Sequence, residues 1–322
     1  MRKLLSITVP LLICLSVIRN TATAQQESPD TVKVGIYIVS IHDIDFKQKE
    51  FTVNFWVWLK YKNRAFRFNE YLEVPNAKTV TKSFFTVDSS GEKVNMMMKL
   101  QCTMKDNWRI ANFPFDRQNL RISIENSQYD SSYLVFQEDT VGEHFDRRFT
   151  LRGWRIDSCL ISTGYRIYET GFGDESLAKP QTKYAVFRTR LSIMRDAGGI
   201  FWKMFLGMYI AFLIAYICYF IHSDGMDSRF GLSVGALFAV VGNKYIIDSS
   251  LPESTSFTLV DTLHGLTLFC IFAVIASTAY SLWLVKQGKI QKAHRFDRAM
   301  AIAMLLFYVG ANIWFISEAS GA

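Results

Sequence analysis

Short runs in which apolar and polar residues alternate fill residues 30–195. The runs 32–38, 51–58 and 120–124 are examples, and each is rich in β-branched or aromatic side chains. Alternation with a period of two residues is typical of strands that bury one face. Turn signals such as 88–91 and 171–174 separate the runs. About ten such runs predict an antiparallel β-sandwich.

The pattern changes at Gly198. Four long apolar segments follow, at about 200–221, 230–247, 258–285 and 299–316. As helices, each crosses or nearly crosses a hydrocarbon core about 30 Å thick. The connection 286–298 is rich in Lys and Arg, so the positive-inside rule places it in the cytoplasm. Counting back along the spans then puts 222–229 inside and both 248–257 and the sandwich outside.

The first 24 residues have the features of a secretory signal peptide. Arg2 and Lys3 precede an apolar run at 4–18, and 22–24 has the small-x-small form of a cleavage site. A membrane anchor is the alternative, but the apolar run is short for a span of about 20 residues. We therefore expect a β + α membrane protein with three parts. These are a signal peptide (1–24), a β-sandwich outside the cytoplasm (25–199) and a transmembrane bundle of four helices (200–322).

Composition narrows the function classes. Half of the residues are hydrophobic and the net charge is a modest +7, so no nucleic-acid partner is expected. The sequence has no nucleophile motif, metal-ligand spacing or phosphate loop, so we expect no enzyme, no metal and no cofactor. Of the five cysteines, only Cys102 and Cys159 lie in the exported part, and whether they pair stays open.

The second apolar segment carries an unusual face. Spacings of three or four residues put one set of residues on the same side of a helix: Asp227, Gly231, Gly235, Phe238, Gly242 and Tyr245. Small residues at such spacing also let membrane helices pack closely, but packing does not explain Asp227. Ionisable residues that face a bundle interior mark ion paths. If several copies of this helix surround an axis, the Asp227 side chains form a ring of carboxylates that concentrates cations. Phe238 would then form a hydrophobic gate.

The segment FPFDRQ at 113–118 carries a resemblance to a family. It resembles the FPFDxQ hallmark of the pentameric ligand-gated ion channels. No cysteines bracket the loop, so the prokaryotic members without the disulfide-closed loop look closest. Arg195 matches the basic residue that the family places before its first span. Asp227 with Arg229, and then 251–252, match the ends of the family's pore helix.

This resemblance implies a homopentamer with the pore on its axis and a ligand-binding sandwich. We expect a multi-pass protein of the cell (inner or plasma) membrane that conducts monovalent cations. A small amine-like molecule or protons, acting from outside, would open the pore. The alternative is a membrane-anchored sensor of the same architecture that does not conduct. A transporter is a third option, but the four spans show no internal repeat.

The resemblance also implies roles for single residues. The segment that carries Asp43 and Asp45, the loop with Phe113, Pro114, Phe115 and Asp116, and the link with Pro252 would couple the sandwich to the pore. Asp116 would pair with Arg195 at this junction.

Glu125, Tyr165 and Tyr184 match positions that bind amine agonists in bacterial members of the family. A carboxylate beside aromatic faces suits an ammonium group, although strand tyrosines also commonly pack a sandwich. Trp56 or Trp58 would line the neighbouring face, and the alternation of the strand does not choose between them.

Overall fold

The computed structural model describes residues 28–175, 177–221 and 226–321. The predicted signal peptide at 1–24 lies outside the described residues. The chain forms two β-sheets followed by four long helices, which confirms the predicted fold class.

Two sheets build the N-terminal half. The five-stranded sheet, sheet A, has the order β4-β5-β2-β1-β7, and the four-stranded sheet, sheet B, has the order β3-β6-β9-β8. Among the described strands, every pairing is antiparallel except that of β1 with β7. The elements are β1 (Asp30–Asp45), β2 (Glu50–Tyr61), the short helix α1 (Phe68–Tyr71), β3 (Leu72–Glu73), β4 (Ala77–Asp88), β5 (Val94–Lys105), β6 (Arg117–Asn126), β7 (Leu134–Glu138), β8 (Trp154–Tyr168) and β9 (Thr182–Arg195).

The sandwich core forms because alternate residues of the strands face the opposite sheet. On β2, Phe51, Phe55 and Leu59 are fully buried, and Met98 and Leu100 of β5 are buried with them. This alternation of buried and exposed positions is the pattern from which the sequence predicted strands.

The two cysteines of the β-sandwich, Cys102 and Cys159, are free thiols and do not form a disulfide with each other. Cys102 is fully buried on β5, and burial raises the pKa of its thiol to about 12. The pKa of Cys159 is raised to about 11 for the same reason. Neither thiol is therefore poised to react near neutral pH.

Four helices follow the last strand. They are α2 (Ala197–Tyr216), which continues in a 3₁₀ turn (Ile217–Phe220), α3 (Met226–Asp248), α4 (Leu259–Lys286) and α5 (Ile290–Gly321). All four are long and apolar enough to cross a membrane. Thr258 begins α4 with a reciprocal capping box, in which Thr258 and Asp261 satisfy each other's backbone N–H groups.

Candidate pore and ligand-binding site

The predicted pore face of α3 lies on the side of the helix that its own subunit leaves open. A buried stripe of α3 packs against α2 and α4 and consists of Arg229, Ser233, Ala236, Val240 and Ile247. At 100° per residue, set by about 3.6 residues per turn, the six predicted pore residues lie on the opposite side. All six are exposed, with Phe238 at 68% and Tyr245 at 75%.

The glycines of this face do not serve packing inside the subunit. A Cβ atom added at Gly231, Gly235 or Gly242 would meet no atom within 4 Å. By contrast, a Cβ at Gly207 of α2 would lie 3.0 Å from the Asn243 side chain, where α2 and α3 are in close contact. The close-packing alternative is therefore wrong for contacts within one subunit.

An ion pair fixes the first turns of α3 from its buried side. Arg229 Nη2 lies 3.1 Å from Asp297 Oδ2 of α5, and both side chains are almost fully buried. The same guanidinium donates hydrogen bonds to the carbonyl of Ile221. Asp227, two residues earlier, is exposed. Of the two charges at this end of the helix, the acidic one is therefore free and the basic one is neutralised.

Polar contacts also tie the middle and far end of α3 to its neighbours. Asn243 donates to the carbonyl of Met204 at 3.0 Å and lies 3.0 Å from His264 Nε2. Lys244 Nζ lies 2.5 Å from Asp248 and 2.8 Å from Asp261 of α4. These contacts fix the orientation of α3 about its own axis, and they therefore fix the direction in which its open face points.

The predicted pair of Asp116 and Arg195 forms at the junction of sandwich and helices. Arg195 Nε lies 2.6 Å from Asp116 Oδ1, and the two side chains are 9% and 1% exposed. Gln118 Nε2 donates to Asp116 at 2.7 Å. The guanidinium carbon lies 4.0–4.7 Å from the ring centroids of Trp154, Phe46 and Phe113, which adds cation–π attraction.

The other predicted coupling residues surround this pair. Phe113 is buried with residues of the helices, and the rings of Phe115 and Phe201 lie 5.7 Å apart. The backbone N–H of Leu259 at the start of α4 donates to the Ala111 carbonyl at 2.8 Å.

The β1–β2 turn forms one wall of a groove at the same junction. Asp43 and Asp45 line this groove together with Ser250 and Leu251 from the α3–α4 link. Pro252, the next residue of that link, is buried. The turn, the FPFDRQ loop and the link therefore meet at one place.

A small pocket at the far end of sheet B contains two of the three predicted ligand residues, Glu125 and Tyr184. The rings of Tyr168, Phe172 and Tyr184 contact one another edge-on, with centroids 5.5–6.2 Å apart. We call these three rings the aromatic cage. Glu73 pairs directly with Glu125 across β3 and β6 and also lines the pocket.

Glu125 sits at the base of this pocket with its charge partly compensated. Arg166 Nη1 lies 2.7 Å from Glu125 Oε1, and the Tyr168 hydroxyl donates to Oε2 at 2.9 Å. Burial raises the pKa of Glu125, and the carboxylate of Glu73 raises it further, whereas Tyr168 and Arg166 oppose the shift.

Tyr165 does not join this pocket, because it lies on the other face of β8. Strand residues separated by an odd number alternate between faces, so Arg166 and Tyr168 face Glu125 while Tyr165 does not. Its ring instead lies 3.8 Å from Lys183 Nζ. The structure thus places Tyr165 outside this pocket and brings in Tyr168 and Phe172, which the sequence reasoning did not name. The ligand-binding role of the predicted residues stays a prediction.

Comparison with known proteins agrees with this architecture. No family model matches the chain. The chain is 21% identical over 310 residues to a proton-gated ion channel of Gloeobacter violaceus. The alignment covers 89% of this chain and 82% of that protein. The chain is also 21% identical over 270 residues to a gamma-aminobutyric acid receptor subunit beta of Caenorhabditis elegans, which covers 79% and 45%.

A third relative, pH-sensitive chloride channel 2 of Drosophila melanogaster, is 18% identical over 289 residues, covering 80% of this chain and 55% of that protein. The chain thus spans about half the length of these two animal relatives. The relatives confirm the predicted resemblance to pentameric ligand-gated ion channels, which are receptors and not enzymes. Together with the four membrane-capable helices, they support a multi-pass ligand-gated channel.

Proposed function

We propose that the chain forms a homopentameric channel whose axis is lined by the open face of α3. The observation that carries this proposal is the position of that face, opposite the stripe that α3 buries in its own subunit. An aspartate is costly to place in lipid, and the three glycines of this face offer lipid no side chain. Copies arranged around an axis would cover the flanks of each α3 and leave this face to water and ions.

Cation selectivity is the second part of the proposal. Asp227 is exposed at the first turn of α3, while Arg229 is buried against Asp297. A ring of Asp227 carboxylates would therefore meet the permeating ion without opposition from the neighbouring arginine. A ring of one charge attracts ions of the other sign. The relatives include a chloride channel, so the ion preference rests on these residues of the chain itself.

An extracellular amine is the agonist that the pocket at the end of sheet B fits. The aromatic cage offers three ring faces or edges above the carboxylates of Glu73 and Glu125. An ammonium group gains about 0.5–2 kcal/mol from an aromatic face, depending on its desolvation. Since Arg166 offsets only one negative charge, Glu73 and Glu125 together leave the pocket with a surplus negative charge.

Coupling would run through the junction below the sandwich. Movement of sheet B would reach Arg195, which begins the connection to α2, and Asp116, which belongs to the loop that touches α4. Asp43, Asp45 and Pro252 would transmit the displacement to the α3–α4 link. In this arrangement the sandwich lies outside the cytoplasm of a cell membrane, and the basic segment 286–298 lies inside.

Cysteine substitution along α3 tests the proposed pore face. The variant G235C, placed on the open face, should lose agonist-evoked current when a water-soluble methanethiosulfonate reagent is added. The variant S233C, on the buried stripe, and the wild-type chain should keep their current. Equal insensitivity of G235C would contradict the pore face. A protein that binds amines but never conducts would instead be the sensor of the same architecture.

A further inference from the structure

A basic groove lies on the outer face of sheet B, beside the aromatic cage. Five basic side chains line it: Lys105, Arg121, Arg166, Arg188 and Arg190. Carboxylates compensate three of them, since Glu50 lies 2.9 Å from Lys105, Asp106 pairs with Arg121, and Glu125 lies 2.7 Å from Arg166. Within the described residues, no carboxylate forms an ion pair with either Arg188 or Arg190.

Arg188 and Arg190, the two arginines of the groove without an ion pair among the described residues, stand on the same face of β9, because they are two residues apart. Adjacent positions on one face of a strand lie about 7 Å apart, and both side chains line the same groove. Arg190 is exposed, and Arg188 is half-buried. Their positive charges therefore add in the groove instead of being dispersed over the surface.

The position of Arg188 is fixed by the opposite strand. Arg188 Nη2 donates to the Tyr165 carbonyl at 2.7 Å. A Cβ atom at Gly164 would lie 2.7 Å from Arg188 Nη1, so the missing side chain of Gly164 leaves the space that the guanidinium occupies. An arginine offers five N–H donors, and a single hydrogen bond to Tyr165 leaves most of them for a ligand.

We propose that this groove binds a small oxyanion, either a carboxylate or a tetrahedral phosphate, between Arg188 and Arg190. A guanidinium matches both kinds of anion because two parallel N–H groups can donate to two oxygens. The side chains of Ser123 and Ser162 line the same groove and supply hydroxyl donors beside the arginines. The proposal stands apart from the amine pocket and from conduction, since neither Arg188 nor Arg190 lines that pocket.

Isothermal titration calorimetry on the purified full-length protein tests this site. The probes are inorganic phosphate and succinate, titrated separately in Tris–chloride buffer at low ionic strength, because salt screens exposed charges. We expect at least one probe to bind, and the tighter one identifies the anion. Loss of a charge-assisted hydrogen bond should weaken binding about tenfold in R190Q, and more in R188Q/R190Q. R155Q removes an exposed charge from β8 outside the groove and should bind like the wild type.

Two results would overturn the proposal. One is equal affinity in R190Q and the wild type. The other is the absence of binding heat for both probes in the wild type, and a change of oligomeric state in R188Q/R190Q, measured by light scattering, would then explain the arginines differently. The groove would then be a contact between copies of the chain. R190Q keeps the test decisive if R188Q/R190Q fails to fold, because the Arg190 side chain is exposed.

Discussion

Arg195 and Asp116 form a buried ion pair at the boundary between the sandwich and the helices, with Nε and Oδ1 2.6 Å apart. Arg195 ends β9 and is two residues from the start of α2, while Asp116 belongs to the loop that contacts α4 through Ala111. The pair therefore joins the chain segment that enters the membrane to the loop that touches another helix. Removal of either side chain would leave the other as an unpaired buried charge.

Removal of one partner of this pair should destabilise the protein strongly. We expect D116A to cost about 3–5 kcal/mol of unfolding free energy, because it leaves Arg195 buried and uncompensated. Thermal unfolding of the detergent-purified protein, followed by circular dichroism, measures the loss. The control is E92A, which breaks an exposed pair with Lys62 and should leave the melting temperature nearly unchanged. Equal melting temperatures for D116A and E92A would contradict the assignment.

Neutralising the proposed selectivity ring should reduce the preference for cations. In D227A, the reversal potential of agonist-evoked current in a KCl gradient should move towards zero, because the carboxylates that attract cations are gone. The matched control is D248A at the other end of α3, where Lys244 already neutralises the carboxylate. A reversal potential that D227A leaves unchanged rules out the role of Asp227.

Shortening the one large apolar side chain on the glycine face should open the pore. We expect F238A to conduct without agonist, since a hydrophobic constriction closes a pore by expelling water. Basal current in planar bilayers measures this leak. V241A truncates an exposed side chain on a different face of the same helix and should stay closed at rest. If F238A is silent at rest and still responds to agonist, the gate lies elsewhere.

Truncation within the aromatic cage should weaken the response to amines. Y184A removes a ring that contacts Tyr168 and Phe172. The half-maximal agonist concentration should rise about 2- to 30-fold, as expected for a cation–π contact of about 0.5–2 kcal/mol. Y165A removes a tyrosine on the opposite face of β8 and should leave the dose–response curve in place. A larger shift in Y165A than in Y184A would place the amine site on the opposite face of β8 and contradict this assignment.

The amine response should also depend on pH through Glu125. Burial raises the pKa of Glu125 above its ordinary value of 4.5, so the group takes up a proton as the pH falls through that raised value. Protonation removes the charge that attracts the ammonium, so amine affinity should fall on acidification, at a pH above 4.5. The affinity of E125Q should be lower at neutral pH and should lose this dependence. An identical pH profile in E125Q would exclude Glu125 as its source.

The open face of α3 could be predicted because a helix repeats every 3.6 residues or so. Spacing alone therefore placed Asp227, Phe238 and Tyr245 on one side, and their exposure in the structure agrees with it. The strands were predictable for the same kind of reason, since one buried face forces alternation. The pair of Asp116 and Arg195 followed from the family resemblance, because nothing local joins residues that far apart in the chain.

The aromatic cage was only partly predictable. The alternation of β8 already indicated that residues 165 and 168 face opposite ways, and this signal was missed. The register that sets Arg166 opposite Tyr184 depends on the length of the hairpin and cannot be read from composition. Phe172 reaches the cage from a turn in which its backbone is left-handed, with a φ of 50°, a conformation rare for a bulky residue.

The buried partner of Arg229 lay beyond sequence reasoning altogether. Arg229 and Asp297 are 68 residues apart and belong to different helices. Their contact depends on how α3 and α5 both pack against α4, and no local pattern reports that packing. Because Asp297 neutralises Arg229, the charge that stays exposed at the start of α3 is that of Asp227.

Recording from the purified protein in a planar bilayer under a KCl gradient tests the central claim most directly. Primary and quaternary amines are applied in turn to each side of the membrane. The account predicts current only when an amine reaches the sandwich side, with a reversal potential close to that of potassium. Amine binding, established separately by calorimetry, without current from either side would contradict the channel, and a reversal potential close to that of chloride would contradict its selectivity.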